Sequence, residues 1–179
     1  PLIDKFVGRT LVNNIGLIFV GALLTAIAAQ IQLPMWPVPL TLQTMVVLLV
    51  GATLGAGRAS ASLSLYLAMG AAGIPVFAGA KTLTGVLPTA GFLVGFVFAA
   101  ALVGFLASKG FSKTPVKVAL SFAAGSVVIY AFGVAGLMFA LNLSFTQAIA
   151  AGVVPFLIGD AVKAAAAAAL LPLAWKYVK

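Results

Sequence analysis

The amino-acid sequence predicts an all-α integral membrane protein, with six transmembrane helices in one compact bundle and both termini cytoplasmic. Three observations predict it. Of 179 residues, 64% are hydrophobic and 7% charged, against about 45–50% apolar and about 25% charged in an ordinary soluble domain. No charge lies between Arg9 and Arg58, or between Lys117 and Asp160, and a single span needs only about 20 apolar residues. Lysines and arginines also gather in alternate connections rather than in all of them.

Splitting the apolar blocks at prolines, glycine clusters and charges places the spans at 10–30, 40–55, 59–73, 91–107, 116–141 and 153–175 of a single domain, 1–179. The first follows Lys5 and Arg9. Pro39 precedes the second, Arg58 separates it from the third, and Pro75 stands where the third stops. These two are short for full spans, which a tightly packed bundle tolerates. A long loop, Ile74 to Gly91, leads to the fourth, and Lys109, Lys113 and Lys117 divide it from the fifth. The uncharged connection Asn142 to Ala151 precedes the sixth. In this partition Lys5, Arg9, Arg58, Lys109, Lys113, Lys117, Lys176 and Lys179 fall on one side and only Lys81 on the other, so the basic side is cytoplasmic. The run ending Ala26-Ile27-Ala28 also resembles a signal-peptide core and cleavage site, but it is long for one, and a packed first helix needs small residues too. Pro1 is not an initiator Met, so trimming at the start is expected.

The inventory excludes most chemistry. There is no Cys, His or Glu, and Asp4 and Asp160 are the only carboxylate side chains. Disulfides, thiolate or imidazole catalysis and zinc sites are therefore ruled out. We expect no enzyme, catalytic residue, metal or cofactor. The formal net charge of +8 is scattered between apolar runs without a basic stripe, which points to a lipid bilayer and not to nucleic acid.

Four features remain. Pro155 to Lys163 carries Asp160 and Lys163 three apart in an otherwise uncharged run, on one helix face. Buried charge in a membrane is costly unless partnered, so the pair is either a structural ion pair or a site for a small polar solute offering both N–H and C=O. Met35 to Thr44 is a Pro-rich loop feeding a helix; Trp36 there is an interfacial anchor or a ligand cover. Gln43, an amide one turn inside the membrane, wants a partner from a neighbouring helix or a ligand. The Ile74–Gly91 loop has the length of a binding loop or lid. Its Gly79-Ala80-Lys81-Thr82 lacks the glycines of a phosphate-binding loop. Ala22 and Ala26, like Gly51 and Gly55 or Gly91 and Gly95, have the small-residue spacing of close helix packing, within the bundle or against a partner.

Four segments in order resemble the BioY family, the biotin-specific substrate-capture (S) components of energy-coupling-factor (ECF) transporters: Pro37 to Gln43, Tyr66 to Gly79, Pro88 to Phe96, and Pro155 to Lys163. The resemblance implies a six-helix bundle that binds biotin near the outer face of a bacterial cytoplasmic membrane, capped by the first and third external loops. It also implies a transmembrane coupling (T) subunit and two cytoplasmic ATPases as partners, with ATP used only by those partners. On this reading Asp160 accepts from the ureido N–H, Lys163 donates to the ureido oxygen or holds Asp160, and Gln43 and Thr89 add polar contacts. Trp36, Phe77 and Tyr130 cover the ring and tail, Lys81 meets the tail carboxylate, and Ala22 and Ala26 form the docking face for the coupling subunit. The chain departs from the family pattern at Ala80, Ala90 and Phe92, where Gly, Gly and Tyr are usual, so the geometry of the second loop is expected to differ. A solitary transporter or facilitator, and a ligand-free structural membrane protein, are the alternative functions.

Overall fold

A computed structural model describes residues 1–178; Lys179, counted above on the basic side, lies outside the described residues. Thr10 opens the first helix, α1 (Leu11–Gln30), by accepting from the Asn13 N–H at 3.2 Å, which satisfies one of the free amides of a helix start. Pro34, Pro37 and Pro39 then bar a helix. The chain turns back instead through a short antiparallel ladder, β1 (Gln32–Leu33) with β2 (Leu40–Thr41). The second helix consequently starts three residues later than expected, as α2 (Gln43–Leu54).

Gly55, at φ +82, turns the chain in a conformation that favours glycine, and α3 (Ala56–Ala71) follows at once. The sequence placed Arg58 between spans, with the third at 59–73. The structure puts it inside α3, because its charge is met there: it donates to Asp4 Oδ1 at 2.6 Å, Leu54 O at 2.9 Å and Asn14 Oδ1 at 3.1 Å. Arg9 also holds Asp4, at 2.6 Å. Partial burial pushes the Asp4 carboxyl up, but the two guanidiniums outweigh it and bring it from 3.8 down to about 2.

The fourth helix, α4 (Ala90–Leu106), widens into a turn over Ala107–Phe111 and is followed by α5 (Pro115–Leu141). The connection 142–151, expected as an external loop, is mostly helical: α6 spans Phe145–Gly152. Ser144 and Gln147 cap it reciprocally, each accepting from the other's backbone N–H at 3.3 and 2.9 Å, a pairing that starts helices. Pro155 interrupts the run, and a single 3-10 turn (Val154–Phe156) leads into α7 (Leu157–Tyr177). The six expected helices are thus present in order, with α6 as a short seventh.

Four stretches, Leu11–Gln30, Ala90–Phe111, Pro115–Leu141 and Phe145–Tyr177, are long and apolar enough to cross a membrane. The others, α2 and α3, extend about 18 and 24 Å at about 1.5 Å per residue. Helices α4 and α5 form the central seam, α2 and α3 pack on α4, α1 lies on α3, and α7 on α5 and α2. The seam is close because Gly91 and Gly136 face each other; a Cβ at Gly91 would come within 2.8 Å of the Gly136 Cα. Inside lie Leu63, Tyr66, Val103, Phe122, Ile129 and Leu137, while Phe19, Leu23, Phe139, Ile158 and Val162 face outward. Apolar residues on both sides of a helix suit a hydrocarbon surrounding.

Candidate binding site

A cleft opens where the starts of α2, α4 and α7 meet the side of α5. Its walls are mainly apolar: Val38 and Pro39 from the loop between α1 and α2, Ala78 from the loop between α3 and α4, Phe92, Leu93 and Phe96 from α4, Ile129 from α5, and Phe156 before α7. Thr41, Gln43, Thr44, Thr89, Tyr130, Asp160 and Lys163 bring polar atoms to it.

Asp160 and Lys163 form a nearly buried ion pair at 2.9 Å, with side chains 10% and 14% exposed. Asp160 stands in the first turn of α7, where unpaired amides and the helix dipole favour a carboxylate. The ammonium of Lys163 donates to Asp160 Oδ1 (2.9 Å), Thr44 Oγ1 (2.8 Å) and Thr41 O (2.9 Å). An ammonium has three N–H bonds, so all its donors are occupied within the protein. Of the two roles open to Lys163, the geometry supports holding Asp160.

The carboxylate is not saturated. Oδ1 accepts from Lys163 and from Thr44 at 3.1 Å, and Oδ2 accepts from the Tyr130 hydroxyl. A carboxylate has about four acceptor positions, which leaves one, on Oδ2, for a ligand N–H. Gln43 offers a second. The single Tyr66 hydroxyl proton goes to Val76 O at 3.1 Å, so that hydroxyl must accept from Gln43 Nε2, at 2.7 Å. This fixes the amide orientation, and Gln43 Oε1 is left without a partner among the described residues, on a side chain that lines the cleft. The Thr89 hydroxyl, also on the wall, has no protein partner among the hydrogen bonds of the described residues.

The cleft thus gathers Asp160, Lys163, Gln43, Thr89 and Tyr130. Tyr130, expected as apolar cover, is in addition a donor to Asp160. The structure leaves three others out. Trp36 is 76% exposed and borders a separate shallow groove with Leu141 and Gln147, because the prolines around it turn it away from the bundle. Phe77 is buried behind the wall, edge-on to Tyr66 at 5.3 Å. Lys81 is exposed and pairs through its backbone with Phe77. Cover comes from the α1–α2 and α3–α4 loops; the connection 142–151, folded as α6, lies aside, and Phe156 beyond it reaches the cleft. Ala22 and Ala26, expected at a partner surface, are 1% and 8% exposed and belong to the core. Their small side chains let α1 approach its neighbours, and Phe19, Leu23 and Ile27 form its outward side.

Sequence reasoning missed Thr44, Tyr66 and Phe92. Thr44 stood in the same polar run as Gln43, so spacing alone was a signal. Tyr66 carried none, since its role exists only against partners 23 and 10 residues away.

The BioY family matches residues 5–179. A protein named biotin transporter BioY from Thermotoga maritima is 38% identical over 149 residues, covering 81% of this chain and 85% of that one. The biotin transporter BioY of Rhizobium etli is 36% identical, covering 78% and 79%. A crystal structure described as the S-component for biotin from an ECF-type ABC transporter superposes with a TM-score of 0.81 at 21% identity, over 96% and 95% of the two chains. These relatives are transporters and not enzymes, and with the apolar helices they make this a multi-pass membrane protein. By the span of that match and the identity of its relatives, the chain belongs to the BioY family.

Proposed function

We propose that the chain is the biotin-capturing S component of an ECF transporter, which takes biotin at the outer face and delivers it to the cytoplasm with a transmembrane coupling subunit and two ATPases. The observation that carries this reading is the pattern of unused hydrogen-bonding groups in the cleft: acceptors at Asp160 Oδ2 and Gln43 Oε1 and a free hydroxyl at Thr89. A cyclic urea has two N–H donors and one acceptor oxygen. On this assignment Asp160 and Gln43 take the two N–H groups, Thr89 donates to the ureido oxygen, and Phe92, Phe96 and Ile129 enclose the apolar ring and tail. The chain brings no cofactor of its own; ATP is used by the partners. The basic end, with both termini, faces the cytoplasm of a bacterial inner membrane.

Calorimetry on the detergent-solubilised protein tests this, with thiamine and riboflavin as controls. Saturable biotin binding that is lost in Asp160→Ala, with the controls silent, supports the reading. A folded native chain that takes up no biotin sinks it.

A further inference from the structure

The chain has ten Lys and Arg and two Asp, and both carboxylates are occupied. Asp160 holds Lys163, and Asp4 holds Arg9 and Arg58. At the end of the bundle carrying the α4–α5 turn, Lys109, Lys113 and Lys117 are exposed and form no ion pair among the described residues.

Each of these lysines instead lies over an aromatic ring: Lys109 over Phe105 at 5.6 Å, Lys113 over Trp175 at 5.2 Å, and Lys117 over Phe111 at 5.7 Å. The collar is tied together, since Trp175 Nε1 donates at 3.0 Å to the buried Ser112 Oγ, joining the end of α7 to the turn. A ring face attracts an ammonium without consuming its N–H bonds, so the three ammoniums are held in place with their donors free. Directly beside them Phe105, Val116 and Leu120 are 53%, 70% and 57% exposed.

We propose that this collar is a binding site for anionic phospholipid headgroups. A phospholipid supplies both things the surface lacks, phosphate oxygens for the ammoniums and acyl chain for the adjoining apolar side chains, and aromatic rings with snorkelling lysines mark the hydrocarbon boundary. An acidic soluble protein would meet the charge and leave the apolar side chains uncovered.

The test is lipid retention. The purified chain is equilibrated with vesicles of equal phosphatidylglycerol and phosphatidylcholine, and the retained lipid is counted by native mass spectrometry. The native chain should prefer phosphatidylglycerol roughly tenfold or more, the reach of two or three lysines near an anionic surface. The triple variant Lys109→Gln, Lys113→Gln, Lys117→Gln should fall towards parity while its biotin affinity, measured on the same sample, is unchanged. Inorganic phosphate at matched concentration should displace nothing. Parity in the native chain overturns the proposal, as does a full preference in the triple variant or displacement by phosphate alone. A triple variant that keeps its lipid preference but no longer co-purifies with ATPase subunits makes the collar a protein-docking surface, and the proposal fails. Biotin binding is read separately, so failure here leaves the capture function standing.

Discussion

Gln30, at the last turn of α1, and Ala80, at the tip of the loop between α3 and α4, are joined by a hydrogen bond from the Ala80 N–H to Gln30 Oε1 at 3.1 Å. The Nε2 of the same amide donates to Phe77 O at 3.1 Å, so one side chain grips the loop from both directions. Between these contacts lies Ala78, which forms part of the cleft wall. Gln30→Ala should therefore speed biotin release by about threefold to tenfold, the worth of one or two net hydrogen bonds, with little change in association. Stopped-flow release kinetics check this, and an unchanged release rate would remove Gln30 from the site's support.

Ala80 itself occupies the left-handed region, at φ +55. A Cβ is unfavourable there by about 1–2 kcal/mol, partly offset by the greater freedom glycine has when unfolded. Ala80→Gly should raise thermal stability by up to about 1 kcal/mol. A lower unfolding midpoint would show that the loop tip is not strained.

Removing one member of the Asp160–Lys163 pair strands the other. Asp160→Ala leaves a nearly buried ammonium without its counter-charge, and such changes cost about 3–5 kcal/mol. The double variant Asp160→Asn, Lys163→Met should regain most of the lost stability in chemical denaturation yet bind no biotin. If biotin binding returned with stability, the carboxylate would be structural only.

Tyr130 and Trp36 separate two kinds of aromatic. Tyr130→Phe removes the donor that orients Asp160 Oδ2, at a cost to the fold of about 1.5–3 kcal/mol, and should weaken biotin binding severalfold by letting the carboxylate turn. Trp36→Ala should change affinity less than about twofold, because the ring is outside the cleft. Titration calorimetry on the two variants decides it; the reverse ranking would mean that the loop between α1 and α2 closes over the ligand.

The Asp4 cluster gives a pH dependence of stability. Its folded-state pKa, about 2, lies below the ordinary 3.8, so its contribution is complete above about pH 4 and is lost as pH falls towards 2. Solvent screening limits it to about 1 kcal/mol. The difference in unfolding midpoint between the native chain and Asp4→Asn should be present at pH 6 and largely gone near pH 2. A difference that persists at pH 2 would assign the effect to packing.

Hydropathy and charge spacing by themselves determined that this is a helical membrane bundle, the order of its six main helices, and that Asp160 and Lys163 share a face of the last one. Those properties are local or periodic, and a linear pattern records them. What the pattern did not hold was compensation at a distance. Arg58 reads as a helix boundary until Asp4, 54 residues away, neutralises it. Tyr130 reads as a cover until its hydroxyl meets Asp160 across the α5–α7 seam. Trp36 and Phe77 read alike as aromatics near a site, yet one ends exposed and the other buried behind the wall. Which acceptors stay free for a ligand depends on every donor that the other helices contribute, and only the folded bundle brings those donors together.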